Sequence, residues 1–372
     1  MTATTDEGAT ACDACLRRTA LVARLAGHLD NLHAERGLMD EVFGLADEEL
    51  VAGLVPAGPD RARVVRQVRG FEPRQARHEV AAAGLVVVCR HDPAYPQRLG
   101  DLAGPPSVLF VRGHERLAAM VQGPAVAIVG ARRASAYGLE VARSLGRGLS
   151  AAGVAVASGM ALGVDSAAHA GALEAGSRTI AVLGSGADVA YPATKRALHA
   201  RLGEEAVVVS ELPPGFRARR WTFPARNRII AALATVTVVV EAAERSGALI
   251  TARIARDLGR DVAAVPGRVT SPLAAGPNAL LRDGAHLADG PQQILDLVFG
   301  VGVREAAGTP AENHLDARLA AVLHRLREGA DTIAALAEAG PPAPEAMAAL
   351  GELELHGLVV RGPGGAWVPV AG

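Results

Sequence analysis

The sequence predicts an α/β fold in which a parallel sheet core follows a small helical domain and precedes a winged-helix domain. Three observations support this prediction. Leucines recur at helical spacing near the start of the chain, short β-branched runs alternate with helical stretches through its middle, and three helical stretches followed by a hairpin pattern end it. A chain of 372 residues is long enough for two or three such domains.

The first predicted domain spans residues 1–72 and is helical, of the SAM or helix-hairpin kind. Leu16, Leu21, Leu25 and Leu29 recur at the spacing of one helix face. The segment from Leu16 onward is therefore predicted as a single helix.

The core domain is predicted over residues 73–300. Its strand candidates are apolar throughout and alternate with helices, a pattern typical of a parallel, Rossmann-like sheet that is covered on both faces. The predicted strands are 85–88, 108–111, 125–129, 154–157, 179–183, 206–209, 236–240 and 262–265, and helices are predicted near 138–152, 166–175, 195–203, 224–233 and 248–258.

The end of the chain is predicted to be a linker, 301–312, and a winged-helix domain, 313–372. The pattern gives helices at 314–327, 331–339 and 344–356, followed by a short β-wing at 358–370.

Composition excludes several classes of protein. Half the residues are hydrophobic and the formal net charge is −1, which excludes both wholesale disorder and a globally basic nucleic-acid coat. Lys195 is the single lysine, so arginine supplies the rest of the 38 cations. Three cysteines cannot form a disulfide framework, and no secretory signal pattern is present, so we expect a cytoplasmic protein.

Small residues follow each predicted strand. Ligands of open parallel sheets bind at the carboxyl ends of the strands, and glycine allows the backbone to approach them closely. No Gly-x-Gly-x-x-Gly or P-loop pattern is present, which counts against a dinucleotide or nucleoside triphosphate. The residues expected to shape this pocket are Gly130, Gly163, Asp165, Gly184, Ser246, Gly247 and Gly267.

The segment 216–228 carries the strongest local signal. It contains five arginines, no acidic residue and three of the chain's 11 aromatic residues. Cations interleaved with rings suit a single-stranded nucleic acid, because arginine contacts phosphates and rings stack on any base. The alternative is a surface loop whose rings belong to the core.

Two other groups of residues have a spacing that suggests chemistry. Ser158, Asp165 and His169 suggest a hydrolase, yet no nucleophile-elbow pattern accompanies them, and an Asp at a helix start is commonly a cap.

Cys12-x2-Cys15 followed by His28 and His33 matches a two-Cys, two-His zinc pattern. The alternative is a pair of exposed cysteines at a helix start with two surface histidines; no other metal or cofactor is expected.

Seven ordered motifs over about 140 residues resemble the DprA/Smf family, the DNA processing protein A family. The motifs are Ile128 to Arg132, Ser158 to Asp165 with Ala168-His169, Tyr191-Pro192, Ser210-Glu211, Phe223 to Ile230, Val240-Glu241 with Ser246-Gly247, and Thr251-Ala252 with Pro266-Gly267. The resemblance implies an extended Rossmann fold, a homodimer, binding of single-stranded DNA, and loading of the RecA recombinase in natural transformation or homologous recombination. It implies no catalysis and no cofactor.

The same resemblance implies DNA-binding residues, with Arg132 as the phosphate contact of the first loop. The full set is Arg132, Ser158, Gly159, Lys195, Arg219, Arg220, Phe223, Arg226, Asn227 and Arg228.

Two rival functions stay open on sequence alone. A phosphoribohydrolase-like nucleotide enzyme would need a Pro-Gly-Gly-x-Gly-Thr-x-x-Glu run, where this chain has Glu244 to Leu249. A double-strand DNA regulator led by the winged helix is the other rival, which deletion of residues 313–372 would test.

Overall fold

The core of the molecule is a nine-stranded sheet. A computed structural model describes residues 11–36, 40–306, 315–338, 340–356, 358–362 and 365–369. The strands of the sheet are β1 (Val86–Cys89), β2 (Val108–Arg112), β3 (Ala125–Val129), β4 (Ala155–Ser158), β5 (Thr179–Val182), β6 (Val207–Ser210), β7 (Val236–Val239), β8 (Asp261–Ala264) and β9 (His286–Leu287).

The spatial order of the strands is β1-β2-β6-β5-β4-β3-β7-β8-β9. The seven strands from β6 to β9 are parallel, whereas β2 pairs antiparallel with both β1 and β6. The predicted α/β class is therefore confirmed, with an antiparallel edge added. The chain runs outward from β3 to β6 and then returns to the other side of β3 with β7, which makes the gap between β3 and β7 the topological switch point.

Helices cover both faces of the sheet, as the continuously apolar strands require. They are α7 (His114–Val121), α8 (Ala136–Ala151), α9 (Val164–Glu174), α10 (Arg196–Glu205), α11 (Thr222–Leu233), α12 (Gly247–Asp257), α13 (Ala275–Arg282) and α14 (Pro291–Phe299). One face packs against α8, α9 and α14, the other against α11 and α12. No helix in the described part of the chain is long and apolar enough to span a bilayer.

The N-terminal region is helical, as predicted, but the predicted single helix is two. The helices are α1 (Asp13–Arg24), α2 (Ala26–Arg36), α3 (Asp40–Phe43), α4 (Asp47–Leu54), α5 (Pro59–Arg69) and α6 (Pro73–Ala82). Leu25 ends α1, and the leucines continue as one buried cluster across the break. The same cluster includes Trp221 of the 216–228 segment. The N-terminal helices are therefore packed against the segment that is predicted from the sequence to bind single-stranded nucleic acid.

The C-terminal module is the predicted winged helix with its own apolar core. Its helices are α15 (Ala317–Arg327), α16 (Ile333–Glu338) and α17 (Ala343–Leu355), and its wing is β10 (Val359–Arg361) paired antiparallel with β11 (Trp367–Pro369). Most of the predicted linker, residues 307–312, and the predicted wing turn at Pro363-Gly364 lie outside the described residues.

Helices α8 and α9 approach each other through glycine. A Cβ on Gly171 would lie 1.9 Å from the carbonyl oxygen of Arg143, and one on Gly146 would lie 2.1 Å from that of Ala168. Both obstacles are backbone atoms, which cannot rotate away. Gly53 in α4 is also helical, but a Cβ there would meet nothing within 4 Å.

We therefore expect Gly171→Ala to destabilise the core by about 1–3 kcal/mol through overpacking. Gly53→Ala is the matched control and should be neutral or stabilising by up to about 1 kcal/mol, since alanine is the better helix former. Thermal unfolding of both variants checks this. Equal melting temperatures for the Gly171 variant and the wild type would contradict the close packing of α8 on α9.

Candidate nucleic-acid interface

A cleft of about 310 Å³ opens at the switch point of the sheet. Its walls come from the loop after β3, the start of α9, the first half of α11 and the start of α12. Lining residues include Gly130, Arg132, Asp165, Phe223, Arg226, Asn227, Ser246, Gly247 and His33. A smaller hollow of about 80 Å³ beside it shares Arg132, Phe223 and Arg226 and adds Gly159, Gly184 and Tyr191. The two together form one groove, which we call the switch-point groove.

The mouth of the groove is a row of a cation and two rings. Arg132 is exposed, and its guanidinium carbon lies 4.9 Å from the centroid of the Phe223 ring. The ring of Tyr191, 45% exposed, lies 5.5 Å from that of Phe223 at an interplanar angle of 40°. An exposed cation over an aromatic face contributes only about 0.5–1 kcal/mol, so the row is open to rearrangement around a ligand.

The floor of the groove is a buried arginine. Arg226 is 5% exposed, and its Nη1 donates a hydrogen bond of 2.8 Å to the carbonyl oxygen of Val182. A Cβ on Gly159 would lie 1.4 Å from this Nη1, so only glycine leaves room for the guanidinium. Both residues are among those predicted to bind DNA, and both line the groove, although Arg226 is buried and its Nη1 is held by the carbonyl oxygen of Val182.

Asp165 completes the floor. Its Oδ2 accepts hydrogen bonds from the backbone N–H groups of Gly159 (3.2 Å) and Ala161 (3.4 Å). Burial raises the pKa of Asp165, while the positive charge of Arg226 and the two N–H donors oppose that shift. Asp165 therefore holds the loop after β4 through two backbone N–H groups.

The position that a nucleotide phosphate takes in dinucleotide-binding sheets is filled by the chain itself. In such folds the phosphate lies at the N-terminus of the helix after the first strand. Here the buried carboxylate of Glu241 accepts hydrogen bonds from the backbone N–H (2.8 Å) and the hydroxyl (2.6 Å) of Ser135, the N-cap of α8. A nucleotide bound in the usual way would have to displace this carboxylate.

The suggested hydrolase set is not assembled. Ser158 is fully buried, and its hydroxyl donates to the carbonyl oxygen of Ile128 at 2.6 Å. His169 is also fully buried, and its Nδ1 lies 2.7 Å from the hydroxyl of Thr179. Because that hydroxyl donates to the carbonyl oxygen of Val156, Nδ1 carries the proton of the ring. Ser158 is among the residues predicted to bind DNA, and its buried hydroxyl joins the end of β4 to β3.

Arg228 is the clearest departure from the predicted DNA-binding set. It is 2% exposed, pairs with Glu211, and lies with its guanidinium carbon 4.5 Å from the ring centroid of Phe43. Residues two apart on a helix do not face the same side, so Arg226 and Arg228 point to different surroundings. Arg228 attaches α11 to the N-terminal helices and is not available to DNA.

Of the remaining predicted residues, Asn227 lines the groove, whereas Arg219, Arg220 and Lys195 are not among its lining residues. Asn227 donates to the carbonyl oxygen of Gly247 at 3.3 Å, which joins α11 to α12. Arg219 and Arg220 are exposed just before α11, and Arg219 pairs with Asp30 of α2 at 2.6 Å. Lys195 is half-exposed in the short helical turn after Pro192.

The predicted pocket-shaping glycines differ in whether a side chain would fit in their place. Gly163 has φ +77°, and a Cβ there would lie 2.2 Å from the carbonyl oxygen of Ala131. Gly130 and Gly184 are crowded by neighbouring atoms, whereas a Cβ on Gly247 would meet nothing within 4 Å. Ser246 caps α12. Gly267 is not among the lining residues of the groove. Its backbone N–H and carbonyl oxygen are hydrogen-bonded to the side chain of Asn278, beyond β8.

The sequence does not indicate that His33 is part of the groove, and it offers His33 only as one ligand of the alternative zinc pattern. His33 lies on α2 and lines the cleft. Among the described residues, Cys12 and Cys15 are grouped with Cys89 and His91 as possible metal ligands, not with His28 and His33. No local signal could have placed His33 here, since the helices reach the groove through contacts distant in sequence.

Two of the three rings in the 216–228 segment belong to the core. Trp221 is fully buried, 6.0 Å from Phe43 and 6.3 Å from Phe216 between ring centroids. Only Phe223 faces the groove. The alternative interpretation of this segment is therefore correct for two rings.

The switch point of this doubly wound α/β sheet offers a cation and rings, while the carboxylate of Glu241 fills the usual phosphate position. These features define the class: a Rossmann-like protein with an open groove. The chain belongs to the DNA recombination-mediator protein A family, whose model matches residues 86–299. The model of the DprA winged helix domain matches residues 306–365.

Individual relatives agree with this family. The putative DNA processing protein DprA of Mycobacterium tuberculosis is 49% identical over 203 residues, 55% of this chain. The match covers 51% of that relative, so the chain spans about half of its length.

Solved structures agree as well. The X-ray structure of Streptococcus pneumoniae DNA processing protein A is 31% identical with a TM-score of 0.61, covering 76% of this chain and 95% of that one. A structure of the Helicobacter pylori protein, described for its single-stranded DNA binding mode, is 29% identical with a TM-score of 0.50, covering 54% and 91%.

Acid should destabilise the protein through His169. Burial lowers the pKa of His169 to about 3 from 6.5, so below about pH 6.5 the unfolded state binds a proton that the folded state does not. The stability contributed by the neutral ring is therefore complete above pH 6.5 and is lost as the pH falls toward 3. The slope is about 1.4 kcal/mol per pH unit.

His169→Asn removes this titration and keeps an N–H for Thr179. Between about pH 7 and about pH 5, the wild type should lose roughly 2 kcal/mol more stability than the variant. Urea unfolding at both pH values measures the difference. Parallel losses in the two proteins would mean that His169 is not a buried neutral group.

Proposed function

We propose that this protein binds single-stranded DNA along the switch-point groove and does not alter it chemically. The observation that carries the proposal is the row formed by Arg132, Phe223 and Tyr191 at the mouth of the groove. Rings with one exposed face can stack on bases of any identity, and a guanidinium beside them can hold the adjoining phosphate. The relative whose structure concerns single-stranded DNA binding supports the same function.

The charges around the groove fit a backbone of phosphates. Arg132 lines the groove, and Lys195, Arg219 and Arg220 are exposed or half-exposed within four residues along the chain of the lining residues Pro192 and Phe223, although the whole chain has a net charge of −1. The N-terminus of α12 opens onto the cleft, where backbone N–H groups favour anions. DNA binding therefore needs no basic coat, because the positive potential is local.

We further propose the steps that family membership suggests. As a member of a recombination-mediator family, the protein would protect incoming single strands and load the RecA recombinase on them, in the cytoplasm, during natural transformation or homologous recombination. A homodimer belongs to the same proposal. Formation of RecA filaments on DNA already covered by a single-strand-binding protein, with and without this protein, tests the loading step.

The rival functions make different predictions. A nucleotide enzyme would release base from a nucleoside monophosphate, whereas we expect an oligonucleotide to be recovered unchanged after incubation. The carboxylate of Glu241 at the N-terminus of α8 disfavours the enzyme, since it fills the usual phosphate position. A winged-helix regulator would lose DNA binding on deletion of residues 313–372, whereas binding through the groove should survive it.

Charge and stacking can be separated by two substitutions. For about four contacted phosphates, a plot of log K against log salt for oligothymidine should have a slope near −3, at roughly −0.7 per phosphate. Arg132→Ala should make this slope shallower by about 0.7 and weaken all sequences alike. Arg133→Ala removes the neighbouring exposed arginine, which does not line the groove, and should leave the slope unchanged. Equal slopes for the wild type and the Arg132 variant would refute the phosphate contact.

The Phe223 ring should contribute to the affinity for DNA through stacking and not through charge. Phe223→Leu should weaken oligothymidine binding by about 1–3 kcal/mol and leave the salt slope as in the wild type, because stacking releases no counterions. Phe223→Tyr keeps the ring and should retain most of the affinity. Fluorescence titration at several salt concentrations measures both quantities. Undiminished binding by the leucine variant would show that bases do not stack there.

A further inference from the structure

Four metal-ligating atoms converge where the N-terminal helices meet the edge of the sheet. The Sγ atoms of Cys12, Cys15 and Cys89 and a ring nitrogen of His91 all lie within 4.8 Å of one another. From Nδ1 of His91 the distances are 3.5 Å to Cys12, 3.5 Å to Cys15 and 3.9 Å to Cys89. We propose that these four side chains bind one Zn²⁺ ion.

Two of the three N···S distances, 3.5 Å each, equal the edge of a tetrahedron around zinc, and the remaining separations, up to 4.8 Å, need to shorten by at most about 1 Å. With Zn–S bonds of about 2.3 Å and Zn–N bonds of about 2.0–2.1 Å, the S···N edges are about 3.5 Å and the S···S edges about 3.8 Å. Hydrogen bonding does not account for the same arrangement, because one ring nitrogen has a single proton or a single lone pair for three sulfur atoms. A shared cation satisfies all four atoms at once.

The local structure supplies the ligands in the usual spacing. Cys12 is the N-cap of α1 and Cys15 lies in its first turn, so a Cys-x2-Cys pair faces one point. Cys89 ends β1, and His91 follows two residues later. Cys15 and Cys89 are buried and Cys12 is half-buried, while His91 closes the exposed side.

The ligand set indicates the metal and its role. Three thiolates and one imidazole favour zinc, and four protein ligands leave no open position for a substrate, so the site is structural. The ion would join α1 to the β1 edge of the sheet. Asp30 and His33 lie on the next helix, α2, beside the groove, so the site would help to position that wall. This inference does not rest on the proposed DNA binding.

The metal content of the full-length, untagged protein tests the proposal. We expect about one zinc ion per chain by mass spectrometry of the metal, released when a mercurial reagent modifies the three cysteines. Cobalt exchanged into the site should show the visible absorption of tetrahedral cobalt together with a thiolate charge-transfer band. Cys89→Ser and His91→Ala should each lower the zinc content well below that of the wild type.

Two variants serve as controls. His28→Ala should keep the full zinc content, because His28 is not among the four ligands; loss of zinc from it would favour the ligand set with His28 and His33 instead. His91→Cys should retain zinc and strengthen the cobalt charge-transfer band by adding a fourth thiolate.

Three results would overturn the proposal. The first is that the wild-type protein, purified from a zinc-supplemented culture, contains no zinc and takes up neither zinc nor cobalt. This result would count whether the cysteines are free or form a disulfide. The second is the presence of iron in place of zinc. The third is full zinc content in folded Cys89→Ser and His91→Ala variants. If either variant fails to fold, the cobalt spectrum of the wild type decides, since octahedral cobalt without thiolate bands would also refute the site.

Discussion

The geometry of the groove depends on one buried cation. Arg226 lies under the loop after β4, bonded to the carbonyl oxygen of Val182 and facing the space that Gly159 leaves open. Because a buried charge without a partner is costly, the guanidinium of Arg226 must keep its place beside its partner. The fixed position of Arg226 in turn constrains the start of α11. Phe223 lies one helical turn earlier and is thereby held against Arg132 and Tyr191. The buried guanidinium of Arg226 thus fixes the position of the exposed row at the mouth of the groove.

The fold is that of a nucleotide-binding sheet with its phosphate position closed. Glu241, at the end of β7, reaches across the switch point to the N-cap of α8, which ties together the two strands where the sheet changes direction. A ligand is left with the rim of the sheet and its loops. An extended polymer can follow that rim, whereas a single nucleotide loses its usual anchor.

The sequence was informative wherever a local pattern decides the structure. Every predicted strand exists, since short β-branched runs bounded by small residues favour buried strands, and α8 to α12 begin and end close to the predicted positions. The antiparallel edge, β9 and the division of the first helix at Leu25 carry no such pattern.

For the candidate site, the sequence indicates the segment 216–228 but not which side of α11 each arginine of that segment lies on. Arg226 and Arg228 look equivalent in a list of residues, and only the packing of α11 between the sheet and the N-terminal helices separates them. The contacts of His33 with the groove and of Cys12 with His91 join residues far apart in the chain, which periodicity cannot reveal.

The arginine bias of the chain has a practical consequence at Lys195. Since this is the single lysine and lies half-exposed just past Tyr191-Pro192, its amine is a unique chemical handle near the rim of the sheet. A reagent selective for primary amines would modify one side chain per molecule, in addition to the terminal amino group. A fluorophore attached there would be a site-specific label on this part of the molecule without any engineered residue.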